Sequence, residues 1–263
     1  MNSNPDIASA SHAATNDLAF KLIESALTPT ARLLDLGCGP GHMTRRIARW
    51  FSSRGLDPRH SIVAADISAA GFQATEAPFV EADFSKPLPF DDASFDLIVC
   101  VEVIEHLTRP YDFLAEVRRV LKSDGVFVVS TPNIFNLQSR LRYLLTGMYG
   151  LYELPTVDRL QAGRLCGHIM PLSLVYLHYG LRRAGFTSAR LHLDRAKRSS
   201  YFLSWLLLPF LWLGRKWQIG HSRKYDRSVY EENLELVRLM NSRAALISRS
   251  ILLEATGRMG SGA

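Results

Sequence analysis

Glu102, Glu105 and His106 stand at i, i+3 and i+4 directly after Phe95 to Val101, an apolar stretch that reads as a strand. If the turn that follows becomes helical, the three side chains share one face. An acidic, histidine-bearing face suits removal of a proton from a hydroxyl. His106, supported by Glu102, is the candidate base, a role that contributes roughly 10²–10⁴-fold. A second set lies upstream, where Asp35 precedes Gly37-Cys38-Gly39-Pro40-Gly41. Such glycines allow positive φ and let a ligand approach the backbone. The third glycine is Gly41, and His42 occupies the place where a G-x-G-x-x-G dinucleotide fingerprint needs its glycine. No Gly-Lys-Ser/Thr follows, so a P-loop is excluded. Asp66 and the pair Asp83-Phe84 each close a short apolar run. Taken singly, each signal also fits a tight structural turn, a helix cap or an ordinary loop residue.

Regular elements must position these groups. Asp17 to Leu27 carries Leu18, Leu22, Ile23 and Leu27 at helical spacing and ends before Pro29, after a first dozen residues that read as a loose arm. Strand and helix patterns then alternate. Arg32 to Leu36, Ser61 to Ala65, Phe79 to Ala82, Phe95 to Val101 and Val126 to Ser130 read as strands, the last entered by a turn at Asp124-Gly125. His42 to Phe51 and Pro110 to Leu121 read as helices between them, and Leu172 to Ala184 as a later one stopped by Gly185. Ala189 to Leu193 and Ser250 to Ala255 read as the final strands. Apolar strands separated by helices imply a parallel sheet covered on both faces. The class is α/β, doubly wound.

The spacing from Asp35 through Gly37, Gly39 and Gly41 resembles motif I of the class I S-adenosylmethionine-dependent methyltransferases. The likeness continues through Asp66, where the family's acid takes both ribose hydroxyls, and Asp83-Phe84, where it places the adenine. It extends over Asp96 to Leu107 (DLIVCVEVIEHL) with Val101 at the fourth strand's end, and over Val126 to Asn133. The resemblance implies a Rossmann-like, mostly parallel seven-stranded sheet with its last strand inserted antiparallel. It implies a transferase that uses S-adenosyl-L-methionine for methylation. The E-V-I-E-H segment is similar to two branches, the ubiquinone-biosynthesis O-methyltransferases and the small-RNA 2′-O-methyltransferases. In those, the glutamates and histidine bind a divalent cation, and the RNA enzymes add a later histidine. His168 in Gly167-His168-Ile169-Met170 falls at that place. The implied ligands are Glu102, Glu105, His106 and His168, with Mg²⁺ the implied ion, although imidazole-rich sets suit Mn²⁺ or Zn²⁺ better. An Asn/Asp-Pro-Pro-Tyr/Phe motif for amino-group methylation is absent, since Cys100-Val101-Glu102-Val103 stands there. O-methylation is the expectation.

The 263 residues carry 31 Lys plus Arg against 25 Asp plus Glu, a net +6. Such an excess points to an anionic partner, either nucleic acid or a membrane surface. Cys38, Cys100 and Cys166 form no CxxC pair, so neither a disulfide framework nor a structural zinc site is expected. The first fourteen residues lack a secretory signal pattern. From Arg195 to Arg227 eight basic residues face Asp226 alone, a net +7 that exceeds that of the whole chain. Trp205, Trp212 and Trp217 flank the run Leu206-Leu207-Leu208-Pro209-Phe210-Leu211. Apolar and aromatic residues between basic clusters are the pattern of an interfacial membrane segment. A span is not expected, because Tyr201 to Leu213 would reach only about 20 Å as a helix and Pro209 interrupts it. Leu137 to Tyr152 is a second candidate of this kind. A buried helical hairpin or a dimer seam is the competing reading.

The expected organisation is an arm and helix over residues 1–27, a methyltransferase core over 28–194, an apolar-basic insertion over 195–245, and a last strand with tail over 246–263. The expected function is O-methylation of a membrane-associated or amphiphilic acceptor, such as a lipid-linked sugar or quinol. The protein is expected to be cytoplasmic and peripheral at the inner face of a membrane. RNA 2′-O-methylation and a non-catalytic peripheral protein of the same fold are the alternatives.

Overall fold

A computed structural model of the chain describes residues 7–8, 11–152, 154, 167–195, 198–240 and 242–257. Cys166 and Lys197 lie outside the described residues. Seven strands form one sheet in the order β3-β2-β1-β4-β5-β7-β6. They are β1 (Leu33–Leu36), β2 (Ile62–Asp66), β3 (Phe79–Glu81), β4 (Phe95–Val101), β5 (Leu121–Pro132), β6 (Ser188–Leu193) and β7 (Ser250–Thr256). The first five pair in parallel, and β7 runs antiparallel between β5 and β6. Side-chain alternation splits the core into two layers. Leu33, Leu97, Val99 and Val128 face α1 (Ala13–Ala26) and α2 (His42–Ser52). Leu34, Leu36, Ile98, Cys100 and Phe127 face α3 (Pro110–Val120) and α5 (Leu174–Ala184). Between them, α4 spans Leu137–Thr146.

Three sequence expectations need correction here. The first dozen residues are not all loose: Ile7 is 4% exposed, and its carbonyl meets His42 Nδ1 at 2.8 Å. The first helix starts four residues early, at Ala13, because His12 Nδ1 accepts the Ala14 N–H and caps it. Asp124-Gly125 is not a separate turn either. It belongs to β5, whose register against β4 shifts between Phe95 and Leu97. A Cβ on Gly125 would stand 2.7 Å from the Leu121 side chain and 3.0 Å from the Asp96 carbonyl, so the irregular stretch closes only around a glycine.

Between β6 and β7 run α6 (Arg198–Tyr225), α7 (Arg227–Glu232), α8 (Leu234–Met240) and α9 (Arg243–Ile247). The expected break at Pro209 does not occur, since α6 continues through it for 28 residues. A proline inside a helix removes its own N–H, here the bond that would reach the Trp205 carbonyl, and crowds that turn. The leucines and aromatics on either side keep the helix going. At 1.5 Å per residue α6 is roughly 42 Å long. It is long enough to span a bilayer but too polar, and no helix among the described residues is both long and apolar enough to cross a membrane. Leu203, Leu207, Leu211 and Ile219 form its half-buried stripe, whereas Phe202, Trp205, Phe210 and Trp217 are 65–72% exposed.

Candidate active site

In an open parallel sheet, ligands bind outside the carboxyl ends of the strands where the strand order reverses. That point falls between β1 and β4. A cavity of about 400 Å³ opens there, lined by Asp35, Gly37, Gly39, Asp66, Asp83, Phe84, Val101, Glu102, His106 and His168 among others. Residues from five separate stretches of chain thus meet around one space.

The glycine loop is shaped by two different constraints. Gly37 has φ +73°, and a Cβ there would stand 2.2 Å from Val103 Cγ2, so this glycine lets β1 and the turn after β4 touch. Gly39 has φ +50° with nothing within 4 Å of a Cβ, and therefore faces open cavity. Gly41 does not line the cavity; it caps α2 in the left-handed region with Ala74 against it. Asp35 is 3% exposed and accepts the Thr44 hydroxyl at 2.6 Å. Burial pushes its carboxyl up to about 6 despite that bond. Asp66 Oδ2 accepts the Gly39 N–H at 2.8 Å and Oδ1 accepts the Ile67 N–H at 2.7 Å. Each oxygen keeps a lone pair for a further donor. Asp83 accepts the Ser85 hydroxyl and N–H, bonds that hold its carboxyl below its usual range. Phe84 is 8% exposed and packs against Phe113. Burial pushes the Cys38 and Cys100 thiols up, so neither is a thiolate nucleophile at neutral pH.

The acidic and histidine groups separate into two sets. The turn after β4 is a single 3₁₀ turn, Ile104–His106, and Glu102 lies outside it with φ +54°. The expected common helical face is therefore not formed. Glu102 is held by its N–H to the Ser130 carbonyl and hydroxyl and by its Oε1, which accepts the Ser250 hydroxyl at 2.9 Å. Glu105, His106 and His168 do come together, with one potential ligand atom each within 4.8 Å of the others. Glu105 is 0% exposed, and neither carboxylate oxygen has a hydrogen-bond partner. Burial pushes its carboxyl up to about 8. His168 Nε2 stands 3.8 Å from Glu105 Oε1. His106 Nδ1 lies 2.7 Å from the Gly167 carbonyl and His168 Nδ1 lies 2.7 Å from the Leu151 carbonyl. A ring nitrogen on a carbonyl must carry the proton, so in the neutral form of each imidazole Nε2 keeps its lone pair. The loop bearing His168 is tied down by the Ile169 and Met170 N–H groups, which donate to the Glu105 carbonyl.

Several contributors escaped the sequence reading. Ser11 and Asn16 line the cavity, Thr44 holds Asp35, and Ser250 holds Glu102 from 148 residues away. Only Thr44, on the helix following the glycine loop, had a local signal.

Residues 34–129 match the model of a family described as a methyltransferase domain. A probable S-adenosylmethionine-dependent methyltransferase of Mycolicibacterium smegmatis is 35% identical over 105 residues, covering 38% of each chain. A ubiquinone biosynthesis O-methyltransferase of Maricaulis maris is 29% identical over 103 residues, 39% of this chain and 41% of that protein. The chain thus matches less than half the length of these curated relatives. The solved YcgJ protein of Bacillus subtilis shares the fold, with a TM-score of 0.55 at 17% identity over 95% of this chain and 100% of that one. With the strand order, the cavity at its reversal point and the matched segment in agreement, the chain has the fold typical of class I S-adenosylmethionine-dependent methyltransferases and over residues 34–129 is similar to their methyltransferase domain, with a distant likeness to several branches that include the ubiquinone-biosynthesis O-methyltransferases.

Proposed function

We propose that this protein transfers a methyl group from S-adenosylmethionine to a hydroxyl of a membrane-associated amphiphile. The observation that carries the reading is the single cavity that joins the glycine loop and Asp66 to His106 and His168. Asp66, with a lone pair free on each oxygen, suits two adjacent ribose hydroxyls. Asp83 and Phe84 form a polar and an apolar wall suited to an adenine. Alignment of nucleophile, methyl carbon and sulfur contributes on the order of 7–11 kcal/mol, and removal of the hydroxyl proton remains. Burial lowers His106 below its ordinary value, which keeps Nε2 neutral and able to accept that proton. Glu102, braced by Ser250 at the cavity wall, would orient the acceptor.

The buried, unpartnered Glu105 carboxylate and two imidazoles fixed through Nδ1 fit a divalent cation, because metal-bound histidines donate their other N–H in this way. Glu105, His106 and His168 would hold it, and Glu102, the fourth expected ligand, is not part of that cluster. Such an ion would lower the pKa of the acceptor hydroxyl. The same cluster supports RNA 2′-O-methylation as a second reading. Against it, the run from Tyr201 to Leu213 is leucine-rich as well as aromatic and carries no charge, which suits lipid better than stacked bases.

Calorimetry with S-adenosylmethionine tests the core of the proposal. Asp66→Ala should weaken binding at least tenfold with the fold intact, as loss of a charge-assisted bond costs roughly 1.5–3 kcal/mol. Unchanged affinity would sink the Asp66 assignment, and no binding by the unaltered protein would leave the non-catalytic reading.

A further inference from the structure

A second cavity, of about 430 Å³, opens between the first turns of α4 and α6 and the segment joining α9 to β7. Arg142, Arg195 and Arg249 line it, and its described lining residues include no Asp or Glu. The backbone enforces part of this gathering. Arg249 N–H donates to the Arg195 carbonyl at 3.1 Å, which extends the β6–β7 ladder beyond the Leu193–Ile251 pair. The two side chains are near enough to repel one another. Among the described residues, the Arg249 guanidinium has no hydrogen bond or ion pair, and Arg195 reaches the His12 ring. Two carboxylates stand near Arg195 and partly offset its charge: Asp194, whose Oδ2 accepts the Thr15 hydroxyl and the Ser250 N–H while Oδ1 is buried without a hydrogen-bond partner, and Glu102, held by the Ser250 hydroxyl; neither lines the cavity. Asn136 and Ser139 bring the N-terminal end of α4 to the cavity, and Ser200 brings that of α6. Both ends carry partial positive charge. Ser248, 0% exposed, has an Oγ with no hydrogen-bond partner.

The two cavities share a wall. Leu151, whose carbonyl fixes His168, lines the second cavity, and Ser250, which braces Glu102, follows Arg249. Outward from the arginines, Leu144 and Leu145 on α4 are 79% and 73% exposed, and the exposed aromatics of α6 begin directly after Ser200.

We propose that the second cavity is an anion subsite for the acceptor, binding a phosphate or diphosphate group whose attached hydroxyl-bearing part enters the neighbouring cavity. Planar guanidinium forks match phosphate oxygens in bidentate fashion. Three arginines and two helix ends call for a multiply charged anion, which a lone carboxylate is not. A phosphorylated lipid would lay its chain along α4 and α6, and a water-soluble phosphate ester would use the same arginines without it. The subsite rests on the first cavity being the methyl-transfer site.

Titration with inorganic phosphate and pyrophosphate, followed by calorimetry, tests it. The unaltered protein should bind pyrophosphate more tightly than phosphate. Arg249→Gln and Arg195→Gln should each weaken binding roughly tenfold or more, while Arg249→Lys retains an intermediate affinity. S-adenosylmethionine affinity measured on the same samples should stay unchanged. Loss of cofactor binding in the unaltered protein would overturn the methyl-transfer reading instead. Cofactor binding without any phosphate or pyrophosphate binding, or anion binding indifferent to both arginines, overturns the subsite. Phosphatidylcholine vesicles with and without phosphatidic acid separate the sources. Retention by phosphatidic acid that is lost in Arg249→Gln supports a lipid phosphate, and glycerol phosphate binding with the same dependence but no such retention supports a soluble ester.

Discussion

Leu97 and Leu208 are the same side chain in two regions of one molecule, and one is 2% exposed while the other is 55% exposed. In the sheet, apolar residues are consumed by packing: β1 is buried at every position, and the groups left over at its carboxyl edge are polar and aimed at a cavity. On α6 the apolar residues outnumber the surface that receives them. Leu203, Leu207, Leu211 and Ile219 satisfy the contact with the body, and the aromatics around the rest of the helix face outward. The sheet region is the part that matches the methyltransferase family, over residues 34–129, and α6 lies beyond it. The contrast teaches that the sheet end of this protein is the part it has in common with the family it matches. The α6 region is where its own character lies.

The largest expected effect is on the exposed helix. Replacing Trp205, Leu208 and Trp212 by Ser removes three apolar side chains, each worth roughly 1.5–3 kcal/mol when buried. Sedimentation with anionic vesicles should therefore be lost, whereas the melting temperature should hardly change because these residues are 55–68% exposed. Leu207 is a poorer choice because it is half-buried. A large fall in melting temperature, or vesicle binding that persists, would mean that the helix is an interface of another kind.

The next effect sharpens the buried side of the comparison. If Glu105, His106 and His168 hold a cation, a chelator should reduce turnover by roughly 10²–10⁴-fold, restored by added Mg²⁺ or Mn²⁺, with cofactor affinity unaffected. If His106 acts as a base alone, chelation should leave the rate alone. Full activity in a Glu102→Ala, His106→Ala double variant would exclude both.

Asp35→Asn comes third. The folded carboxyl is raised to about 6 from 3.8, so burying its charge costs stability in full above pH 6 and nothing below about pH 4. Asn keeps an acceptor for the Thr44 hydroxyl. The variant should be more stable than the unaltered protein by up to about 3 kcal/mol at neutral pH. That advantage should shrink as pH falls from 6 toward 4. Chemical denaturation at a series of pH values would measure it, and an advantage independent of pH would break the account.

The smallest effect separates two glycines of one loop. Gly39→Ala places a methyl group in open space, so only the left-handed backbone is strained, by about 1–2 kcal/mol. Cofactor affinity should nevertheless fall clearly. Gly37→Ala should damage folding itself, through Val103, and melting curves for the pair should diverge accordingly.

Local sequence determined a good deal of this protein. The strand Phe95–Val101 was legible residue for residue, because a central parallel strand is apolar almost throughout, here apart from Asp96, and its neighbours in sequence are not. The glycine loop, Asp66 and Asp83-Phe84 were legible because strand ends recur at the same edge of a parallel sheet. What was not legible came from contacts between distant parts of the chain. That Glu102 would part from Glu105 and His106 depended on a 3₁₀ turn and on the Ser250 hydroxyl. That α6 would pass through Pro209 depended on Leu203, Leu207 and Leu211, which seat it against the body on both sides of the proline. The arm's contribution of Ile7, Ser11 and Asn16 had no periodic pattern to announce it. Residue types and spacing thus determined which chemistry was available. Only tertiary structure decided which carboxylate stands with the histidines, which glycine faces the open cavity, and which leucines are left on the surface, because burial and pairing are properties of distant neighbours.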